Sequence, residues 1–522
     1  MVSSTRIFLR MSRRLIGLVL LFVAPALVWV GLVVLVPMGS ADNGPDNSRD
    51  NSRDNNVIVG MQLEPPHLDP TGGAAGAIDQ VLYANVYEGL TRFAEDGSIR
   101  PGLAKTWEVS RDGTRYTFYL HDQVRFHDGT AMTAEVVAFA LNRARGDNST
   151  NPQKDLLRGI KDIATSDATR VIIDLHEADG LFLFKLAWGD MVIIPPHAVA
   201  GLTHTAIGTG PFRVARWVRG DRIQLVRNAE YWGGDIALDS ATFRFIADPS
   251  AAVAAVRAGE IDFFPAFPAP ENLGLLVADG RFRLINGSTE GETILAINNG
   301  RPPLDNWEVR RAIAGAINRQ DIIDGAMFGY GIPIGSHFAP HHPDYIDLTG
   351  VIPFDPDSAK ARLAEAGLAD GFQVTLKLPP PAYARRGGEI IERQLARIGV
   401  AVRLVPLEWA EWLEEVFRNK DYDLTIVSHT EPFDIGIYAR PDYYFGYDNA
   451  GFQALFARLD KASDSEARTQ LTHQAQRMIA QDQVNVFLFQ LANAGVAHKD
   501  LLGVWQHMPT QAIDLTGAYW RE

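Results

Sequence analysis

The chain has 522 residues, 46% of them hydrophobic and 21% charged, the make-up of an ordinary globular protein with enough material for at least two cores. Its formal net charge of -14 argues against a nucleic-acid partner, which would need clustered Lys and Arg. With no cysteine it can form neither structural disulfides nor thiolate zinc sites.

Arg6, Arg10, Arg13 and Arg14 precede an uncharged apolar run from Leu15 to Val36, followed by the small residues Gly39-Ser40-Ala41. Residues 1–41 read either as a signal peptide cleaved after Ala41 or as an uncleaved membrane anchor, since the run is long enough to span a bilayer. Both readings export the remainder, with the basic flank staying in the cytoplasm. Ser12-Arg13-Arg14 is a weak twin-arginine signal, and the length of the run favours the general secretory route. Residues 42–56 repeat DNSR without an apolar residue and predict a disordered tether. Folding is expected from Val57, where VIVGMQL reads as a buried strand.

From Val81 to Ala144 the pattern is helix, short strand, hairpin and helix. Trp107 and Val109, then Tyr116, Phe118 and Leu120, alternate as strands around the turn Ser110 to Gly113. Thr133 is an N-cap candidate, with Val137, Ala140, Leu141 and Ala144 on one helix face. VIIDLHE (171–177) is a further strand. Asp248-Pro249 makes a turn, Ser250 is expected to cap the helix that carries Val253 and Val256, and Gly259 ends it.

The order YEGL (87–90), PGLAKTWEVS (101–110), DGTRYTFYL (112–120) and FHDGTAMTAEVV (126–137) resembles the signature of family 5 extracellular solute-binding proteins, the peptide-, nickel- and glutathione-type receptors of ATP-binding cassette importers. IGTGPFRVARW (207–217), RNAEYWGG (227–234), AVRAGEIDFF (255–264) and RPPLDNWEVRRAIAGAINRQDII (301–323) are similar to the family's later blocks. The resemblance implies an α/β fold of the type II periplasmic binding protein kind, cluster C: two large lobes joined by a hinge, with an inserted third domain. On that pattern residues 57–100, 207–298 and 494–522 form the first lobe, 101–206 the inserted domain and 299–493 the second lobe. It also implies a periplasmic, monomeric receptor that needs no cofactor and delivers a peptide or peptide-like solute to a permease and its ATPase. The missing cysteine removes the lipid anchor that many such receptors use.

In the second lobe Phe372, Val374, Leu376 and Leu378 alternate as a strand, and 389–398 reads as a helix. Val400, Val402 and Leu404 form a second strand, Trp409, Trp412, Leu413, Val416 and Phe417 mark a second helix, and Tyr422 to Val427 is a third strand. Such a succession predicts parallel pairing, with ligand bound beyond the strands' carboxyl ends. The third strand leads into Ser428, His429, Thr430, Glu431, Pro432, Phe433 and Asp434. In peptide-binding members an aspartate three positions before an acidic-Pro pair holds the peptide's amino group. Here Glu431-Pro432 matches the pair and Ser428 takes the aspartate's place. A hydroxyl cannot neutralise a buried ammonium, so either Glu431 or Asp434 replaces it or the solute is not an ordinary peptide.

The candidate ligand-contacting residues are therefore Ser428, His429, Thr430, Glu431, Asp434, Trp409, Ala75 and Gly76. Trp409 also suits the buried face of its helix, and Glu431 and Asp434 also suit capping a turn. Tyr443, Tyr444 and Phe445 read equally as a cleft floor or a structural cluster. His337, His341 and His342, with His67 or His429, lack the spacing of a known metal site and read as surface histidines, so no metal site is expected. No GxSxG, HExxH or P-loop occurs, which argues against an enzyme, although abundant acids keep an exported glycosidase as an alternative. A sensor that binds a non-peptide solute is a third.

Overall fold

The computed structural model describes residues 55–73, 76–430 and 433–521. The apolar N-terminal run, nearly all of the expected tether, Ala75 and Glu431 lie outside them. Among the described residues no helix is long and apolar enough to cross a membrane.

One mixed sheet of eleven strands runs through both lobes. Its first half sets Phe263–Phe264, Asn56–Met61, Ser240–Phe245, Arg222–Arg227 and Phe212–Val218 side by side, and its second half ends in Leu424–His429, Phe372–Leu378 and Val400–Pro406. Between them two long strands, Phe282–Ile297 and Val486–His498, pair antiparallel from Phe282 opposite His498 to Leu295 opposite Val486. Their register breaks midway: Ser288 faces Ala492 and Glu292 faces Gln490, so four steps on one strand match two on the other. Bulges of this kind bend a strand and re-aim its side chains.

Phe372–Leu378 pairs parallel with both Val400–Pro406 and Leu424–His429, as the alternation of strand and helix predicts. The helix expected around Trp409 is short, Trp409–Trp412, and continues as a π-helical turn over Leu413–Arg418. The wider turn shifts the periodicity, so only Trp412 and Val416 are buried, while Trp409, Leu413 and Phe417 are 42–47% exposed.

A separate antiparallel sheet orders Ala104–Val109, Arg115–Leu120, Arg170–Leu175 and Ile160–Asp167. The expected hairpin is present, with Trp107 opposite Phe118 and Val109 opposite Tyr116. Helix Ala134–Arg145 packs on this sheet through Val137, Ala140, Leu141 and Ala144, the expected face. Thr133 is its N-cap residue but makes no side-chain capping bond. At the next helix, Pro249–Ala258, the cap is Asp248 and not Ser250: the Asp248 carboxylate accepts from Ala251 N–H at 2.8 Å, Pro249 occupying the first turn. Gly259 ends it in the left-handed conformation at φ 74°.

Three of the quoted motifs converge on one carboxylate. Glu88 of YEGL accepts from Thr209 Oγ1 at 2.7 Å, Tyr231 OH at 2.9 Å and Trp232 Nε1 at 2.9 Å. Burial pushes its carboxyl up to about 7, against these donors, which pull it down. The neighbouring glycines permit the approach: a Cβ at Gly210 would stand 2.6 Å from Asn85 O, and one at Gly102 equally close to Gly89 O. Glu88→Ala strands three donors and is expected to lower stability by about 1–3 kcal/mol. Thermal unfolding should show a smaller loss for Glu88→Gln, which keeps an acceptor oxygen.

Candidate functional site

A cavity of about 390 Å³ opens where the register of the two long strands breaks. Thr289, Glu290 and Gly291 of the bulge form one wall, Gly76 and Asp79 another, and Trp188, Asp190 and the 508–511 segment close the rest, with Thr430 at the rim. Helix Gly76–Leu82 supplies Asp79 from its first turn. A Cβ at Gly76 would meet the end of the Gln511 side chain, which would have to turn away. Gly189 plays the same part opposite, since a Cβ there would stand 2.7 Å from the Asp79 carboxylate.

Among the described residues the lining carries three carboxylates, Asp79, Asp190 and Glu290, and no Lys, Arg or His. Burial, reinforced by the charge of Asp190, pushes Asp79 up to about 8. Burial likewise pushes Asp190 up to about 7, with a Trp188 hydrogen bond opposing it. Neither aspartate makes an ion pair among the described residues. Glu290 differs: it is raised by burial, but His341 Nε2 lies 2.7 Å from its carboxylate, and His341 Nδ1 meets Ser288 Oγ at 2.8 Å. The cavity is therefore built to receive positive charge, and unliganded it holds protons instead.

Of the residues expected at the site, Gly76 and Thr430 line the cavity, while Ala75 and Glu431 are outside the described residues. Ser428, His429, Asp434 and Trp409 are not part of its lining. Strand alternation explains the first two. Ser428 follows Leu424 and Ile426 onto the face covered by helix Ala382–Ala396, where its N–H donates to Tyr383 OH at 3.2 Å. His429 turns to the opposite face and lies parallel to Tyr444, with ring centroids 6.2 Å apart. Asp434 is held between His337 Nε2 at 2.5 Å and His429 Nδ1 at 3.3 Å. Burial would raise its carboxyl, yet the two imidazoles overcome this and hold it far below the usual carboxylate range. Trp409 stands edge-on to Trp412 and half-exposed.

The expected surface histidines are inside. His337 and His341 have side chains no more than 1% exposed, and burial pushes His342 down to about 4. His337 bonds to Asp434 and Tyr438, and His341 to Glu290 and Ser288, partners from distant segments that sequence spacing does not display. Tyr444 and Phe445 are core residues, 1% exposed and packed around Tyr438 and Trp412.

A model described as bacterial extracellular solute-binding proteins, family 5 Middle, matches residues 98–451, about two thirds of the chain. The glutathione-binding protein GsiB of Pectobacterium atrosepticum is 30% identical over 67% of this chain and 68% of its own. Di/tripeptide-binding protein 1 of Pseudomonas aeruginosa is 26% identical over 88% and 90%. The solved structure of HbpA2 from Haemophilus parasuis superposes with a TM-score of 0.82 at 24% identity, over 90% of this chain and all of that one.

Proposed function

Because this chain belongs to the family 5 bacterial extracellular solute-binding proteins, the receptors of ABC importers rather than enzymes, we propose that its cavity captures a small peptide or peptide-like solute by a cationic group. The observation that carries this reading is the charge of the cavity: three carboxylates, two of them outside any ion pair among the described residues, and no basic lining residue. A dipeptide or tripeptide offers an α-ammonium and fits a site of about 390 Å³. The relative named for di- and tripeptides supports that class. An anionic solute would find no positive partner here and would meet repulsion from Asp79 and Asp190 wherever they are ionised.

On this reading Asp79 and Asp190 replace the aspartate whose position Ser428 occupies. Thr430 supplies a contact from the second lobe's side and the bulge at Thr289–Gly291 one from the long strand that crosses between the lobes, so a bound solute favours the closed arrangement of the lobes. The closed receptor, working as a monomer in the periplasm, then docks on a membrane permease driven by its ATPase.

Native mass spectrometry of protein purified gently from its own host tests the proposal. Retained molecules should be cationic or zwitterionic and rich in short peptides, and should dissociate more readily from Asp79→Asn. Retention of a single anionic, non-peptide molecule would sink the reading and favour a sensor of another solute. X-ray scattering should also show a smaller radius of gyration with solute than without it.

A further inference from the structure

Away from the cavity lining, three metal-binding side chains that the solute site does not use meet in the second lobe. One donor atom from each of His337, His429 and Asp434 falls within 4.8 Å of the other two. The trio is closed off from solvent, with side chains 1%, 9% and 13% exposed. Each imidazole has its other nitrogen on a tyrosine: His337 Nδ1 lies 3.3 Å from Tyr438 OH, and His429 Nε2 lies 3.0 Å from Tyr444 OH. Tyr438 OH is itself fixed by Asn485 Nδ2 at 3.1 Å. Both rings thus present a chosen nitrogen to one point while an outer partner sets their orientation, the arrangement that metal-ligating histidines adopt.

We propose that His337 Nε2, His429 Nδ1 and the Asp434 carboxylate form a binding site for one divalent transition-metal ion of the zinc class. Two imidazoles and a carboxylate suit Zn²⁺ and its neighbours, whereas Mg²⁺ and Ca²⁺ prefer oxygen alone. Bonds of about 2.0–2.2 Å to a tetrahedral ion set donor atoms about 3.4 Å apart. The imidazole-to-carboxylate separations, 2.5 and 3.3 Å, lie below that value, so the ion enters as the two hydrogen-bonded pairs part. A small void lined by His337 and Asp434 adjoins the trio and leaves room for a water or solute oxygen as the fourth ligand. On coordination the nitrogen that faces Asp434 gives up its proton, and the ring keeps one only on the nitrogen that faces tyrosine oxygen.

The ion would tie two loops of the second lobe together. One carries His337, and the other leaves strand Leu424–His429 through Thr430 at the cavity rim and turns at Phe433, which takes the left-handed conformation at φ 58°. Metal loading therefore sets the shape of the rim without touching the solute.

The test uses the untagged full-length chain, stripped with EDTA and titrated with Zn²⁺ by calorimetry and with Co²⁺ by visible absorption. One equivalent of Zn²⁺ should bind, raise the unfolding temperature and be removed by EDTA, and Co²⁺ should give the intense bands of a four-coordinate ion. His429→Gln should lose affinity by more than the roughly 10- to 100-fold expected for Tyr444→Phe, which removes only an outer partner. His176→Gln, an exposed histidine elsewhere, should bind as the parent does. Should His429→Gln fail to fold, the Co²⁺ spectrum of the parent chain decides alone. Absence of a bound equivalent, a six-coordinate Co²⁺ spectrum, or unchanged affinity in a folded His429→Gln would overturn the proposal.

Discussion

Asp434→Ala is expected to destabilise the chain by about 3–5 kcal/mol, measured by urea unfolding in EDTA so that no metal contributes. The carboxylate accepts from two buried imidazoles, and its removal leaves both His337 and His429 with an unmatched donor. The damage spreads because the same rings anchor Tyr438 and Tyr444, two of the largest fully buried side chains. The sign of the pH dependence is fixed by the low carboxyl of Asp434. A depressed carboxylate stabilises above its unfolded value of 3.8, and the contribution fades only as pH falls well below it. The penalty of the variant should therefore shrink only as pH falls below about 4. Asp434→Asn, which retains one acceptor oxygen, should lose less. An unchanged unfolding midpoint for Asp434→Ala would show that the trio contributes nothing to the fold.

The cavity aspartates should behave in the opposite sense. Asp79 and Asp190 are held near 8 and 7 against an unfolded value of 3.8, so between about pH 4 and pH 8 the folded chain keeps protons that the unfolded chain has lost. Stability then falls as pH rises through that window and levels off above it. Asp79→Asn removes one of the two charges. At pH 8 it should stabilise the solute-free protein by on the order of 2 kcal/mol, inside the several kcal/mol that an unpaired buried ion costs. At pH 4 and below the variant and the parent should differ little. Solute affinity should move the other way, since a cation pairs with the carboxylates only once they ionise. Binding is expected to strengthen from pH 6 to pH 8 in the parent and to lose most of that rise in Asp79→Asn. Melting curves across pH, with and without the solute identified by mass spectrometry, would check both halves.

The fold was legible in the sequence wherever burial follows a simple period. Helix Ala134–Arg145 and the hairpin around Ser110–Gly113 have one apolar face each, and the structure buries that face. The parallel strands of the second lobe were legible for the same reason. Periodicity misled at Trp409, because a π-helical turn breaks the repeat on which the reading relied. The site was legible in part. The rule that ligands lie beyond strand ends led to Thr430, but Ser428 and His429 sit on opposite faces of a strand still inside the sheet, and neither opens on the cavity. Asp79 and Asp190 are far apart in sequence, on segments that carry no chemical motif. A faint trace exists in the glycines: Gly76 precedes one aspartate and Gly189 the other, each where a side chain would collide with the cavity wall.

The pairing of Val486–His498 with both Phe282–Ile297 and Phe263–Phe264 has a consequence for the order of events in synthesis. Phe263–Phe264 has Asn56–Met61 on one side but no neighbour on the other until that late strand is made. Asn85, near the start of the folded region, likewise waits for Ile513 O at 2.8 Å and Leu515 N–H at 3.1 Å to satisfy its amide. Neither lobe can therefore reach its final hydrogen bonding on the ribosome ahead of the other. A nascent chain stalled before residue 486 should remain protease-sensitive in both lobes, and maturation should appear as one late, concerted step.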